Sequence, residues 1–146
     1  MPYEFKTVRR VEFSETDMAG LMHFSNYFRF METAEQGFFR SLGMSVFRGG
    51  DPPVSWPRVH AECDYKIPLH FEDEVEIHLL VAEKKPKALT FAFKFRKLNA
   101  SPPVQVARGA LTVVCVQEEA DGRMAVCPMP QRALERIQVA PLELLQ

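Results

Sequence analysis

Residues 14–43 read SETDMAGLMHFSNYFRFMETAEQGFFRSLG and join a short acidic loop to a long apolar segment. Apolar side chains recur there at spacings of three and four, which predicts a buried helix that begins near Phe24 or Ser25 and runs to Leu42. The recurring side chains are Phe24, Tyr27, Phe28, Met31, Ala34, Phe38 and Leu42. Gly43 suits the position that ends a helix. Because this helix is apolar over so much of its circumference, we expect other structure to wrap around it.

The loop places a carboxylate, Asp17, and a glycine, Gly20, just ahead of the predicted helix. Glycine tolerates positive φ and lets a ligand approach the backbone closely. A helix N-terminus has unpaired N–H groups and partial positive charge, so it favours an anion or an oxyanion. If a carbonyl oxygen pointed at those N–H groups while Asp17 faced the carbonyl carbon, the stretch would hold two parts of a hydrolytic site. The local spacing alone favours the simpler interpretation, in which Asp17 caps the loop and Gly20 turns the chain.

The composition is that of an ordinary globular protein. The chain has 146 residues, a net charge of -1, 47% hydrophobic residues and 25% charged residues, which predicts one domain over residues 1–146 and gives no signal for nucleic acid. No apolar run approaches the ~18 residues needed to span a bilayer, and the first residues lack the apolar stretch of a signal peptide. We therefore expect a cytoplasmic protein that does not bind membranes.

The three cysteines indicate neither a disulfide framework nor a zinc site, because they are odd in number and lack CxxC spacing. Cys63 and Cys115 lie in strand-like apolar runs, so we expect them to pack in the core rather than act as nucleophiles. No metal and no cofactor is expected.

Five strands are predicted from β-forming composition and from alternation of apolar and polar side chains. They cover residues 4–13, 58–66, 74–81, 89–97 and 104–116. Arg108 and Gly109 are interpreted as a bulge, the Gly/Pro-rich residues 44–57 as a mobile flap near the site, and residues 131–139 as containing a helical fragment. A sheet with one apolar face can close its core around the single long helix, which predicts an α+β roll.

This order of elements, with ETDMAG and HFSNY about the helix start, resembles the hotdog-fold acyl-CoA thioesterases, and most closely their 4-hydroxybenzoyl-CoA thioesterase and YbgC-like branch. The positions that match are Phe13, Thr16, Asp17, Gly20, Asn26, Tyr27, Glu32 and Ala34. Residues 64–75, DYKIPLHFEDEV, also resemble the family's Tyr, Pro and Asp-Glu pattern. The resemblance covers roughly residues 4–116. It implies a hotdog fold, with a five-stranded antiparallel sheet wrapped around one long central helix.

The resemblance also implies an activity, the hydrolysis of an acyl- or aroyl-CoA thioester to free acid and CoA. Asp17 maps to the family's catalytic carboxylate, as nucleophile or general base, and Gly20 to the glycine of the same loop. The main-chain N–H of Phe24 maps to the group that polarises the thioester carbonyl. His23, Tyr27 and Met31 are expected to line the substrate site. The pair His23-Phe24 stands where YbgC-like members carry Tyr-His, so the histidine here is one position earlier.

The expected partner is the acyl-CoA substrate, and CoA is part of that substrate rather than a cofactor. The resemblance further implies a homodimer or homotetramer with active sites between subunits. Basic residues at Lys84, Lys85, Lys87, Arg96 and Lys97 are candidates to meet the CoA phosphates, although a solvated charged face is an equally good interpretation. Two other functions remain open, a thioesterase acting on acyl carrier protein and a non-catalytic acyl-CoA-binding module.

Overall fold

The fold is an antiparallel sheet of five strands that carries one long helix on one face. A computed structural model describes residues 1–47 and 53–146. The strands are β1 Glu4–Arg10, β2 Arg58–Tyr65, β3 Glu74–Lys85, β4 Ala88–Lys97 and β5 Val104–Val114, and the long helix α1 is Asn26–Ser41. The sheet order is β1-β3-β4-β5-β2, so β2 crosses to the edge beyond β5. The predicted α+β arrangement of five strands and one long helix is confirmed.

The smaller elements differ from the predictions. The first strand ends at Arg10, because Phe13–Glu15 turn into a 3-10 helix instead of continuing the strand. After β5 come β6 Val116–Glu118, β7 Met124–Val126, α2 Gln131–Arg136 and α3 Leu142–Leu145. Of these only α2 was predicted, since three or four residues carry too little periodicity to predict an element. Residues 48–52 of the predicted flap lie outside the described residues.

The core forms where α1 lies on the sheet. The helix buries Tyr27, Phe30, Met31, Ala34, Glu35, Gly37, Phe38 and Phe39. Opposite them β3 buries Val75, Ile77, Leu79 and Val81, and β4 buries Leu89, Phe91, Phe93 and Phe95, as the alternation predicted. The rings of Phe38 and Phe91 meet edge to face at 5.9 Å between centroids. Burial of these large side chains is the main stabilising contribution to the domain.

Gly109 lets α1 approach the sheet closely. It pairs regularly with Phe93 on β4 and Cys63 on β2, so the predicted bulge at Arg108 and Gly109 is wrong. The irregularity in the ladder lies two residues earlier, where Phe95 pairs with Ala107 and Arg96 with Gln105. A Cβ at position 109 would collide with the terminal methyl of Met31. The glycine therefore leaves space that the Met31 side chain occupies, and it does not mark a bend in the strand.

Phe24 and the predicted apolar face of β2 are more exposed than expected. Phe24 precedes the helix and its side chain is 61% exposed, because α1 begins only at Asn26. On β2 the residues predicted to face inward were Val59, Ala61, Cys63 and Tyr65, and only Cys63 is even half-buried. The reason is position, since β2 lies at the edge of the described sheet opposite β1, away from β1 and β3, over which α1 chiefly packs.

One buried ion pair joins the helix to the start of β2. The side chain of Glu35 is fully buried, and Arg58 donates to its Oε1 and to the carbonyl oxygen of Trp56. Burial raises the pKa of Glu35, and the charge of Arg58 opposes that shift. The pair joins α1 to the edge strand.

No helix among the described residues is long and apolar enough to cross a bilayer.

The connection from β2 to β3 holds a backbone conformation that is unfavourable for its residue. Glu72 has φ +70°, and it is the one non-glycine residue with positive φ in the described part of the chain. The left-handed region costs roughly 1–2 kcal/mol for residues with a Cβ. Glu72 keeps this φ while its N–H donates to the carbonyl of Val11 at 2.9 Å.

We predict that Glu72→Gly raises the free energy of unfolding by about 0.5–1 kcal/mol, since the relief of the positive φ exceeds the added freedom of glycine in the unfolded chain. Urea denaturation measures this. The matched control, Glu72→Gln, removes the charge but keeps the Cβ and should leave stability unchanged. A gain of equal size in both variants would mean that charge, and not φ, is responsible.

Candidate active site

The loop ahead of α1 folds as a small hairpin, residues 15–23, called here the Asp17 hairpin. The Asp17 N–H donates to the Leu21 carbonyl at 2.7 Å, and the His23 N–H donates to the Glu15 carbonyl at 2.8 Å. Thr16 and Met22 pair between them as an antiparallel bridge. These hydrogen bonds fix the backbone conformation of the loop and, with it, the position of Asp17.

Asp17 and Gly20 form the tip of the hairpin. Gly20 has φ +81° and its N–H donates to the Asp17 carbonyl at 3.0 Å, so the predicted need for positive φ is present. The carboxylate of Asp17 accepts hydrogen bonds at Oδ1 from the N–H groups of Ala19, at 2.9 Å, and Leu21, at 3.1 Å. These two bonds use only one of its two oxygens. The side chain therefore caps the loop, as the simpler interpretation expected, and still presents an exposed carboxylate oxygen.

The peptide between His23 and Phe24 is oriented by the first turn of the helix. The His23 carbonyl accepts from the Asn26 N–H at 2.9 Å, so it points into α1. In a trans peptide the N–H points opposite to the carbonyl. The Phe24 N–H is consequently directed outward from the helix N-terminus, where the partial positive charge of the helix is concentrated. This is the orientation that an oxyanion donor requires.

Two side chains outside the predicted site set hold this segment in place. Asn26 Nδ2 donates to the Glu15 carbonyl at 2.8 Å and joins the helix to the Asp17 hairpin. The hydroxyl of Tyr65 on β2 donates to the Phe24 carbonyl at 3.0 Å. The sequence offered a signal for Asn26, which stands at the start of the predicted helix. Tyr65 belongs to the stretch 64–75 that resembles the family pattern, but no local signal predicted its contact with Phe24, since the two residues are 41 positions apart.

An open depression of about 790 Å³ lies beside the hairpin tip. It is lined by Phe13, Ser14, Thr16, Asp17, Met18 and Gly20. Of the predicted site residues it contains Asp17 and Gly20. The side chains of Phe13 and Met18 are largely exposed there, which gives the carboxylate apolar surroundings.

The remaining predicted site residues lie elsewhere. Tyr27 and Met31 are buried in the core, and neither lines the depression beside Asp17. Burial raises the pKa of Tyr27 to about 12, so its phenol stays protonated at neutral pH and is no proton acceptor. The exposed ring of His23 stacks on Phe24, and its Nδ1 accepts from the Ser25 N–H at 3.3 Å. That bond is local to the segment just ahead of α1. Substrate contact by His23, Tyr27 and Met31 stays a prediction.

Cys63 and Cys115 provide no nucleophile. Burial raises the pKa of Cys63 to about 11, and burial together with the neighbouring Cys127 raises that of Cys115 to about 12. Both thiols are therefore protonated at neutral pH, and a protonated thiol is a poor nucleophile. Among residues 1–47 and 53–146 no group of three His, Cys, Asp or Glu side chains could hold a metal ion.

Most of the basic residues proposed for CoA already have partners within the chain. Lys84 donates to the carbonyls of Leu134 and Ile137, and Lys97 lies 3.5 Å from a carboxylate oxygen of Asp73. Lys85 and Arg96 pair with the neighbouring carboxylates of Glu83 and Glu76. Such ion pairs are ordinary on a charged protein surface, so they do not identify any of these residues as part of a phosphate site.

Comparison with known proteins identifies the family and the fold. A family model for the thioesterase-like superfamily matches residues 11–137. A 1,4-dihydroxy-2-naphthoyl-CoA hydrolase from Synechococcus sp. (strain CC9605) is 32% identical over 133 residues, which cover 87% of each chain. The crystal structure of a 1,4-dihydroxy-2-naphthoyl-CoA thioesterase from Synechocystis has a TM-score of 0.78 at 20% identity, covering 92% of this chain and 95% of its own.

A further structure, 4-hydroxybenzoyl-CoA thioesterase from Pseudomonas sp. strain CBS-3, has a TM-score of 0.77 at 17% identity and covers 91% of this chain and 98% of its own. The fold is thus the hotdog fold, as the resemblance implied. The chain belongs to the thioesterase-like superfamily. It is an enzyme of the thioester hydrolase class.

The link between Asn26 and the hairpin generates a test. Asn26→Asp keeps the shape of the side chain but removes the donor to the Glu15 carbonyl, so we expect amide exchange at His23 to accelerate and stability to fall by about 1–2 kcal/mol. Hydrogen exchange followed by NMR measures the first and urea denaturation the second. Gln36→Glu, the same amide-to-acid change at an exposed position of α1, is the control. If both variants behave alike, the added charge rather than the lost bond is the cause.

Proposed function

We propose that this enzyme hydrolyses the thioester of an acyl- or aroyl-CoA to the free acid and CoA, with Asp17 as nucleophile or general base. The observation that carries the proposal is that one short segment, residues 17–24, holds both an exposed carboxylate on the Asp17 hairpin and a Phe24 N–H directed out of the helix N-terminus. The similarity to the Synechococcus relative, a hydrolase of an aroyl-CoA, adds support for the substrate class.

The carbonyl oxygen of the thioester would lie at the Phe24 N–H, which stabilises the negative charge that develops when the carbonyl carbon is attacked. Removal of one such donor costs ~2.7–4 kcal/mol in other enzymes. As a nucleophile, Asp17 attacks the carbonyl carbon, the C–S bond breaks, CoA leaves as thiolate, and water hydrolyses the anhydride. As a general base, Asp17 takes a proton from the water that attacks instead. Both routes consume one water and release one acid and one thiol.

We further infer that the enzyme acts as a homodimer or a larger homo-oligomer. Strand β2 has one neighbour in the sheet, and its exposed side includes the apolar side chains of Val59 and Tyr65. A second copy pairing along this strand would bury them and satisfy the open edge. The depression at Asp17 is open on one side, so a second copy would also supply a missing wall. Sedimentation at micromolar concentration tests this, and a single species of 16.7 kDa would contradict it.

The central prediction is that Asp17→Asn lowers kcat by about 10²–10⁴-fold while the protein stays folded. The amide oxygen of Asn still accepts from Ala19 and Leu21, so the hairpin persists, whereas Asp17→Ala removes both bonds and the charge. Thiol release from a panel of aromatic, short-chain and long-chain acyl-CoAs measures the effect and identifies the preferred acyl class. Asp121→Asn, which alters an exposed turn carboxylate between β6 and β7, is the control.

Full turnover by Asp17→Asn would remove Asp17 from the mechanism. If the native protein hydrolyses acyl carrier protein thioesters and no CoA ester, the carrier-protein function replaces this proposal. Tight acyl-CoA binding without any hydrolysis would instead identify a binding module.

A comparison of two glycines with the same backbone conformation distinguishes a role in the active site from a role in folding. Gly20 and Gly122 have φ of +81° and +87°, and a Cβ at either would meet nothing within 4 Å. Gly20→Ala and Gly122→Ala should therefore destabilise the protein equally, by roughly 1–2 kcal/mol. Only Gly20→Ala should lower turnover, because it shifts the hairpin tip beside Asp17. Thermal unfolding measures the stability of both variants, and thiol release measures their activity. Equal activity of the two variants would mean that Gly20 only turns the chain.

A further inference from the structure

The turn that leads from β2 to β3 is closed twice by Asp73. The Asp73 N–H donates to the His70 carbonyl at 3.1 Å, and the His70 N–H donates to Oδ2 of the Asp73 side chain at 2.7 Å. The end of β1 braces the same turn, since the Val11 N–H donates to the Asp73 carbonyl at 2.9 Å. The backbone bonds alone keep the turn closed. The Asp73 side chain adds an acceptor for the His70 N–H, which takes part in none of these backbone bonds.

The carboxylate of Asp73 joins this turn to the connection between β4 and β5. Asn99 Nδ2 donates to its Oδ1 at 2.9 Å, and the Lys97 ammonium lies 3.5 Å from Oδ2. The residue is 6% exposed. Burial acts to raise the pKa of Asp73, but these donors and the charge of Lys97 outweigh it, so its pKa lies below the ordinary value. The group is thus an ionised, buried carboxylate with its hydrogen bonds made.

The turn begins with the two residues that support the Asp17 hairpin. The Met22 N–H donates to the Leu69 carbonyl at 2.7 Å, and Leu21 pairs with His70 as an antiparallel bridge. One arm of the hairpin is therefore paired on both sides, with residues 15–17 on its inner side and with Leu69 and His70 on its outer side. The orientation of the His70 peptide therefore also affects the position of Leu21 and Met22 in the hairpin.

We propose that Asp73 is a positioning residue for the Asp17 site, and this inference rests on the function proposed above. Its carboxylate holds the His70 peptide, His70 and Leu69 hold Leu21 and Met22, and that arm sets where the Asp17 carboxylate stands relative to the Phe24 N–H. Asp73 acts through the backbone and does not meet the substrate. Small displacements of a catalytic group are costly, up to about 10²-fold in rate for 1 Å.

The test uses Asp73→Asn in the full-length protein, with Asp121→Asn as the matched control. Asp121 also closes a tight turn through its own carboxylate, accepting from the Arg123 N–H at 3.0 Å, and it lies outside these contacts. We expect Asp73→Asn to accelerate amide exchange at Met22 and His70 by roughly tenfold, as for loss of a hydrogen bond to a charged acceptor. We expect kcat to fall by about 10- to 100-fold with KM unchanged. Asp121→Asn should alter neither.

Unchanged exchange at Met22 in a folded Asp73→Asn variant would overturn the proposal, as would a loss of activity matched by the loss of folded protein in urea denaturation. If Asp73→Asn does not fold, Asn99→Ala takes its place, because it removes one donor from the same carboxylate and should move exchange in the same direction. No change at Met22 in that variant counts against the proposal equally. If the native enzyme hydrolyses no thioester, the proposed function falls, while the exchange measurements still decide the role of Asp73.

Discussion

The close approach of α1 to the sheet is the constraint on which the rest of the structure depends. The helix buries a row of large side chains against the phenylalanines of β4, and its Met31 side chain fills the space beside Gly109. Packing of this kind tolerates little change in spacing, since interiors are close-packed. Once the helix is seated, its N-terminus has one position relative to the strands, and the loop that enters it must reach that position.

The candidate site is made largely from backbone. The Asp17 hairpin is held by hydrogen bonds among main-chain groups, by the Asn26 side chain and by the pairing with Leu69 and His70. The donor proposed for the substrate oxyanion is the Phe24 peptide N–H, and only the proposed catalytic carboxylate is a side chain. A site of this construction depends on the geometry of its supports. That is why a residue such as Asp73, buried one turn away, matters to it.

The sequence predicted the parts of the fold that rest on periodicity. The spacing of Tyr27, Met31 and Phe38 predicted the buried helix, and Gly43, which has φ +75°, ends it as expected. Prediction failed where position in the sheet decides burial. The strand β2 has the alternation of a half-buried strand, yet it lies at an edge, and Gly109 has the signature of a bulge, yet it serves helix packing. Neither outcome is encoded in the residues beside it.

For the site, the sequence by itself determined that Asp17 and Gly20 stand in a tight loop at the start of an apolar helix, because turn and helix signals are local. The tertiary structure alone decided which groups meet that loop. The contacts from Tyr65, Leu69 and His70 join residues 41 to 49 positions apart, and no local signal in residues 64–75 shows that they reach this loop. The burial of Tyr27 and Met31 followed from periodicity, but only the tertiary structure showed that neither lines the depression beside Asp17. Local hydrogen bonding can be inferred from neighbours along the chain, whereas burial and long-range pairing exist only once the sheet has formed.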